Sequence, residues 1–182
     1  SIVASLGAVL LPRASYYIER GEMDKFRRIT QKALNFVFVL APSLMLYFML
    51  FAKQGIFFLS GDAYAGAILP MQIIMPTLLF IGLSNILGIQ MLVPLGKEKV
   101  VLVSEIVGAS VDLISNLLLI PRFGAAGAAV SNLLAEFAVL MVQYLALRED
   151  VNSTLHAIQY WKIALGLVVG AVASYWVAGL GF

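Results

Sequence analysis

The chain contains six apolar segments, of which the last five are long. They are separated by short stretches that carry most of the charged residues. A helix needs about 20 apolar residues to cross about 30 Å of hydrocarbon, so the pattern predicts membrane-spanning helices. The first apolar run ends at Pro12 and is too short for a full crossing, and we expect it to be part of a helix in a longer chain. The predicted spans cover residues 1–17, 33–51, 67–93, 100–120, 125–147 and 160–180.

The stretch between the first two spans, residues 19–32, is rich in Lys and Arg but keeps apolar residues at helical spacing. Met23, Phe26 and Ile29 would fall on one side of a helix and the charged residues on the other. This pattern is typical of a short amphipathic helix that lies on the membrane surface. We therefore expect residues 19–32 to form a separate cytoplasmic connector.

Prolines and polar stretches predict where the other spans bend or end. Pro42 and Pro76 lie inside apolar runs, and each predicts a kink because proline removes one backbone hydrogen bond. Residues 53–66 are rich in Gly and predict a loop. Residues 148–159 are polar and predict a connector before the last span.

The shortest connection lies between the fourth and fifth spans, where only Pro121-Arg122-Phe123-Gly124 separates two apolar runs. Pro121 lacks the N–H needed to continue the fourth helix, and Gly124 allows the backbone a tight reversal. The fifth span opens on Gly and Ala, including Gly127, so a neighbouring helix can approach it closely. The sequence therefore predicts an antiparallel helical hairpin within the membrane.

The composition agrees with an all-α protein that crosses the membrane several times. Of 182 residues, 62% are hydrophobic and 12% are charged, and the mean hydropathy is +0.96. Ordinary globular chains carry about a quarter charged residues. The chain has no cysteine, which excludes disulfides and thiolate metal sites. Since phosphate-loop, zinc-helix and nucleophile motifs are also absent, we expect no enzyme, no metal, no cofactor and no nucleic-acid partner.

The placement of positive charge predicts the orientation of the chain. Ten of the twelve Lys and Arg residues lie on one set of alternate connections, and only Lys53 and Arg122 lie on the other set. Connections rich in Lys and Arg face the cytoplasm. The first span therefore enters from the outer side, and Arg122 is expected on that outer side.

Three carboxylic acids lie inside predicted spans, where a charge costs about 2.5–3.5 kcal/mol on insertion scales. Glu105 is about five residues from the end of its span and can reach the headgroups, whereas Asp112 and Glu136 lie deeper. Each acid shares a helical face with other polar residues. The two faces carry Glu105, Asp112 and Asn116 on the fourth span and Asn132, Glu136 and Gln143 on the fifth.

Two interpretations of these faces remain open. They can border a shared hydrated interior in which Asp112 or Glu136 takes a proton or a cation. Alternatively, the carboxyl groups pair with neighbouring polar groups and serve only to hold the helices together.

The hairpin and the segments before it resemble the multidrug/oligosaccharidyl-lipid/polysaccharide exporter superfamily, and most closely its polysaccharide-flippase branch. The resemblance rests on Asn116-Leu-Leu-Leu-Ile-Pro121-Arg122-Phe-Gly124-Ala-Ala-Gly127, followed by Glu136. Leu11-Pro12-Arg13 before a basic connector gives weaker support. So does the polar-flecked run from Asn85 to Leu92 before the Gly96-Lys97 turn.

This resemblance implies a chain of twelve to fourteen helices in two six-helix lobes around a central cavity, with this chain forming most of the second lobe. Members of the branch move an undecaprenyl-pyrophosphate-linked oligosaccharide across the bacterial inner membrane for cell-surface polysaccharide synthesis. The implied partners are membrane lipid, the lipid-linked oligosaccharide, the missing N-terminal lobe, a polysaccharide polymerase and glycosyltransferases.

On this interpretation, the polar faces form the substrate or ion pathway and two arginines lie at the cavity entrances. The pathway residues are Asp112, Asn116, Glu136, Asn132 and Glu105, the entrance residues are Arg13 and Arg122, and the hairpin geometry depends on Pro121, Gly124 and Gly127. Two alternatives stay open. One is a multidrug/cation antiporter of the same superfamily, and the other is a membrane scaffold subunit that transports nothing.

Overall fold

The computed structural model describes residues 2–155 and residue 168, with side chains from residue 11 to residue 148 and at residue 168. Every element within these ranges is helical. Three helices are long and apolar enough to cross a membrane, and a bent pair of helical segments makes a fourth candidate. The described part of the chain is therefore all-α, with the long apolar helices that are typical of a membrane protein.

The first two helices are joined by a short turn at Arg20 to Glu22. Helix α1 covers Ile2–Glu19 and helix α2 covers Met23–Leu50. The predicted separate surface helix over 19–32 is wrong, because residues 23–32 are the first turns of α2. One face of α2 is buried continuously from the predicted connector into the predicted span, and the helix is not interrupted between them. This face includes Phe26, Thr30, Ala33, Val37 and Ala41. The helix also continues through Pro42.

The predicted loop at 53–66 is mostly helical. Helix α3 covers Ala52–Ser60, and a 3₁₀ turn covers Asp62–Ala67. Gly61 separates the two with a φ of +80°, a conformation that favours glycine. Ala52 and Ile56 are buried, so packing holds this stretch in a helix despite its glycines.

The third span is broken into three pieces: helix α4 at Ile68–Ile74, helix α5 at Thr77–Asn85 and a π-helix at Ile86–Leu92. The two arms, 62–74 and 77–92, meet at an angle of 43°. This confirms the bend predicted at Pro76, where the backbone lacks an N–H donor. The π-helix was not predicted. Its wider turn appears in the hydrogen bond from the Val93 N–H to the Gly88 carbonyl, at 3.1 Å.

Helices α6, at Glu98–Phe123, and α7, at Ala125–Leu155, form the predicted hairpin. Their connection is Gly124 alone, with a φ of +54° and an N–H that donates to the Ile120 carbonyl at 2.8 Å. The expectation that Pro121 ends the first helix is wrong, since α6 continues to Phe123. In the last turn of a helix, proline removes only one hydrogen bond, and this loss does not end the helix.

The part of α7 that is long and apolar enough to span a membrane ends at Arg148, close to the predicted end of the fifth span. The first part of the polar connector predicted at 148–159 is helical, because α7 continues to Leu155. A run of charged residues in a helical register can extend a helix beyond the membrane. The predicted span at 160–180 lies outside the described residues, except for Val168, which is helical and exposed.

Close packing along α7 organises the described part of the chain. The hairpin partner α6 packs along α7, and α4 and α5 also contact it. Gly108 of α6 lies against Val139 of α7, and Gly82 of α5 lies against Val37 of α2. Each glycine allows two helices to approach closely. The opposite side of α6 is apolar and exposed, including Leu113, as expected for a surface that faces lipid.

Candidate functional site

The structure places polar side chains around two open cavities along the α6–α7 hairpin. The first, which we call the Asp112 chamber, has a volume of about 440 Å³. It is lined by Pro70, Met71, Ile74, Asp112, Asn116, Ala125, Ala128, Ala129 and Asn132.

The Asp112 chamber exists because small residues face polar ones across the hairpin. Asp112 and Asn116 are one helical turn apart on α6, and Asn132 approaches from α7. Three alanines on the first turns of α7 leave the space open. All three polar side chains are half-buried, and the Asn116 Oδ1 atom is buried without a hydrogen-bond partner in the described part of the chain.

The second cavity, the Glu136 chamber, has a volume of about 250 Å³. It lies between α6, α7 and the second arm of the broken span. It is lined by Ile81, Ser84, Asn85, Gly88, Ile89, Val101, Glu105, Glu136 and Gln143. Glu136 is half-buried, whereas Glu105 is exposed.

A fixed amide forms one wall of the Glu136 chamber. The Gln143 side chain is only 1% exposed, and its Nε2 donates to the Ser104 Oγ at 3.0 Å. The Ser104 hydroxyl in turn donates to the Val101 carbonyl at 2.7 Å. The Gln143 Oε1 and the Asn85 Oδ1 are buried and have no partner among the described residues.

The structure brings the predicted pathway residues together, but in two groups rather than in one shared interior. Asp112, Asn116 and Asn132 border one chamber, and Glu105 and Glu136 border the other. Asp112 and Glu136 are each twelve residues from Gly124, or about 18 Å along a helix. Equal depth does not place them in one cavity, because they face different arms of the broken span.

Sequence reasoning did not assign to the site two residues that line the Glu136 chamber, Gln143 and Gly88, or Ser104, which holds the Gln143 side chain. Gln143 was recognised on the polar face of the fifth span but was not assigned to the site. Ser104 carries no signal of its own, since hydroxyls are common in such helices. Gly88 gains its role from the π-helix, which has no pattern in the sequence.

The predicted entrance residues lie outside both chambers. Arg13 lies inside α1, Arg122 lies in the last turn of α6, and both are exposed. No Lys, Arg or His side chain lines either chamber, and no group of three metal-binding side chains occurs in the described ranges. The chambers therefore offer carboxylates, amides and hydroxyls, which suit cations, protons and sugar hydroxyls better than phosphate.

Comparison with known proteins gives limited information. No known protein family matches the chain, and no solved structure matches it. Over 139 residues, or 76% of the chain, it is 29% identical to an uncharacterized membrane protein of Methanocaldococcus jannaschii. The match covers 27% of that protein, so the chain spans about a quarter of the length of this relative. The likeness agrees with the apolar helices in indicating a membrane protein.

Proposed function

We propose that this chain is most of the C-terminal lobe of a transporter of the multidrug/oligosaccharidyl-lipid/polysaccharide exporter superfamily. In this proposal it has six spans and helps to flip an undecaprenyl-pyrophosphate-linked oligosaccharide across the bacterial inner membrane. The observation that supports it most is the pair of polar chambers along a hairpin whose helices are otherwise apolar and long enough to span a bilayer. Polar residues at such depth are costly and usually functional.

The chemistry of the chambers defines what this lobe would contribute. Amide and carboxylate groups such as Asn116, Asn132 and Asp112 can hydrogen-bond sugar hydroxyls. The pyrophosphate needs cationic partners, which the chambers lack. In this proposal those cations come from the other lobe, with Arg13 and Arg122 at the two entrances.

Loss of surface polysaccharide tests this function. In a strain that depends on the intact protein for export, Asp112→Ala or Glu136→Ala should strongly reduce surface polysaccharide while the amount of protein in the membrane is kept. Ser110→Ala is the matched control, because its exposed hydroxyl bonds the Ile106 carbonyl of its own helix and lines neither chamber. Unchanged polysaccharide in both acid variants would overturn the proposed pathway.

A cation antiporter of the same superfamily is the second candidate. The absence of any basic side chain among the residues that line the two chambers favours it, since carboxylates bind cations. It predicts that Asp112→Ala and Glu136→Ala abolish resistance to cationic drugs rather than polysaccharide export. Drug accumulation in the same strains separates the two candidates.

A further inference from the structure

A third cavity, which we call the apolar cavity, lies between α2, α7 and the second arm of the broken span and has a volume of about 130 Å³. Leu34 and Phe38 of α2 line one part of it, and the second arm adds two leucines. Helix α7 contributes Leu140, Met141 and Tyr144. All of these side chains are apolar or aromatic, so the lining lacks the several polar partners that a bound water needs.

The apolar cavity is a gap between two well-packed regions. Leu34 belongs to a buried cluster of α2 and the second arm, whereas Leu87 belongs to another buried cluster that includes Leu147 of α7. Protein interiors leave few voids larger than a water molecule, and apolar cavities of about 150 Å³ stay dry and take apolar guests. Met141 in the lining is 37% exposed, so the cavity can be reached from the surface. In a bilayer, such a cavity is suited to hydrocarbon.

Two arginines lie on the helix faces that line the apolar cavity. Arg27 is seven residues before Leu34 on α2, and Arg148 is seven residues after Met141 on α7. Residues seven apart share one face of a helix. Each arginine is therefore about two helical turns, or about 10 Å, from the cavity lining.

One buried cluster brings these arginines to the same end of the protein. Phe26 and Leu147, their direct neighbours in the sequence, both belong to it. Arg27 and Arg148 are exposed, and neither forms an ion pair with a described side chain. A guanidinium group can bind phosphate through two parallel hydrogen bonds. The placement of positive charge assigns this end to the cytoplasm, where the membrane surface carries anionic lipids.

We propose that the apolar cavity holds a hydrocarbon tail of an anionic phospholipid from the cytoplasmic leaflet, and that Arg27 and Arg148 bind the phosphate of this lipid. A phospholipid joins a negatively charged headgroup to apolar tails, which matches two arginines placed beyond one end of an apolar cavity. The tail fills the gap between the two buried clusters and so stabilises the packing of α2 against α7. This inference concerns a lipid that stays bound to the protein, and it does not depend on what the two chambers transport.

Lipid-dependent thermal stability of the intact protein tests the proposal. In detergent, phosphatidylglycerol should raise the unfolding midpoint saturably, because a bound lipid stabilises the folded state. Phosphatidylcholine with the same tails should have a much smaller effect, since its headgroup carries no net charge. Glycerol 3-phosphate and inorganic phosphate, which lack tails, should have none.

Charge variants test the headgroup contact. Arg27→Gln and Arg148→Gln should each weaken the apparent affinity for phosphatidylglycerol by about tenfold, because each removes a charge-assisted hydrogen bond to the phosphate. Lys32→Gln is the matched control. It removes an exposed positive charge from the same end of α2, but Lys32 is five residues from Arg27 and lies on another face of the helix. This variant should leave the affinity nearly unchanged.

Filling the cavity tests the position of the tail. Leu83→Trp places a larger side chain in the lining and should remove the rise caused by phosphatidylglycerol. Should Leu83→Trp not fold, Leu140→Phe fills the cavity from α7 and should have the same effect. Leu113→Trp, at an exposed position of α6 outside the cavity, should keep the rise.

Four results would overturn the inference. Equal effects of phosphatidylglycerol and phosphatidylcholine would show that the arginines bind no anionic headgroup. An equal effect of glycerol 3-phosphate or phosphate would replace the lipid by a soluble anion. A rise that both filled variants keep would place the lipid elsewhere, and no response to any lipid would leave the cavity to a protein segment such as residues 160–180 or a second copy of the chain. None of these results bears on polysaccharide export, which the chamber variants test separately.

Discussion

The Asp112 chamber and the Glu136 chamber lie between the same two long helices, yet different arms of the broken span close them. Helix α4 closes the Asp112 chamber, where alanines of α7 leave open space. Helix α5 and the π-helix close the Glu136 chamber, where the fixed amide of Gln143 forms the wall. The Asp112 chamber therefore owes its shape to the small side chains of α7, and the Glu136 chamber owes its shape to the fixed side chain of Gln143. The bend at Pro76 divides the polar faces of α6 and α7 between two chambers, because each arm of the broken span packs against a different part of the hairpin.

Breaking the hairpin should have the largest effect, because both chambers depend on it. A side chain at Gly127 would meet the Leu119 carbonyl group and lie 3.0 Å from the Ile120 nitrogen, which are backbone atoms of α6. Gly127→Leu should therefore destabilise the intact protein by about 3 kcal/mol or more. The unfolding midpoint in detergent and the amount of protein in the membrane measure this loss.

Gly55→Leu is the control for that change. Gly55 lies in α3, and a Cβ atom there would meet nothing within 4 Å. This variant should accumulate like the unchanged protein. Equal losses at both positions would show that the close approach at Gly127 does not hold the hairpin together.

Much of this fold could be predicted from the pattern of apolar residues and from two special positions. The hairpin and the bend at Pro76 follow from local backbone chemistry, because proline lacks a donor and Gly124 adopts a positive φ. The continuous α2 could not be predicted in the same way. Its charged first turns indicated a separate surface helix, yet the buried stripe beginning at Phe26 is unbroken.

The sequence predicted which polar residues lie near one another better than it predicted how they are distributed between two chambers. Helical spacing placed Asp112 with Asn116, and the short turn placed Asn132 opposite them. The separation of Glu136 from Asp112 depends on which arm of the broken span each one faces. That is a tertiary contact, and spacing along a single helix carries no information about it.

A smaller and more local change tests whether the Gln143 wall is specific to the Glu136 chamber. In Gly88→Ala the new methyl group would press on the Gln143 amide, and we expect a loss of about 1–3 kcal/mol in stability. The loss should shrink when Gln143→Ala is also present, because the two residues are in contact. Unfolding midpoints of the two single variants and the double variant measure this coupling. Additive effects would contradict the contact.

The smallest effect is expected at a partly exposed ion pair beside the turn between α1 and α2, outside the Asp112 and Glu136 chambers. The Lys25 Nζ lies 2.9 Å from a Glu22 carboxylate oxygen, and the two side chains are 59% and 32% exposed. Solvent screening leaves such exposed pairs with little net stabilisation. Lys25→Gln and Glu22→Gln should therefore leave the unfolding midpoint unchanged at low and at high salt, in contrast to Gly88→Ala. A loss as large as that of Gly88→Ala would mean that the pair is shielded from water. The ion pair would then stabilise the protein as much as the contact between Gly88 and Gln143 does.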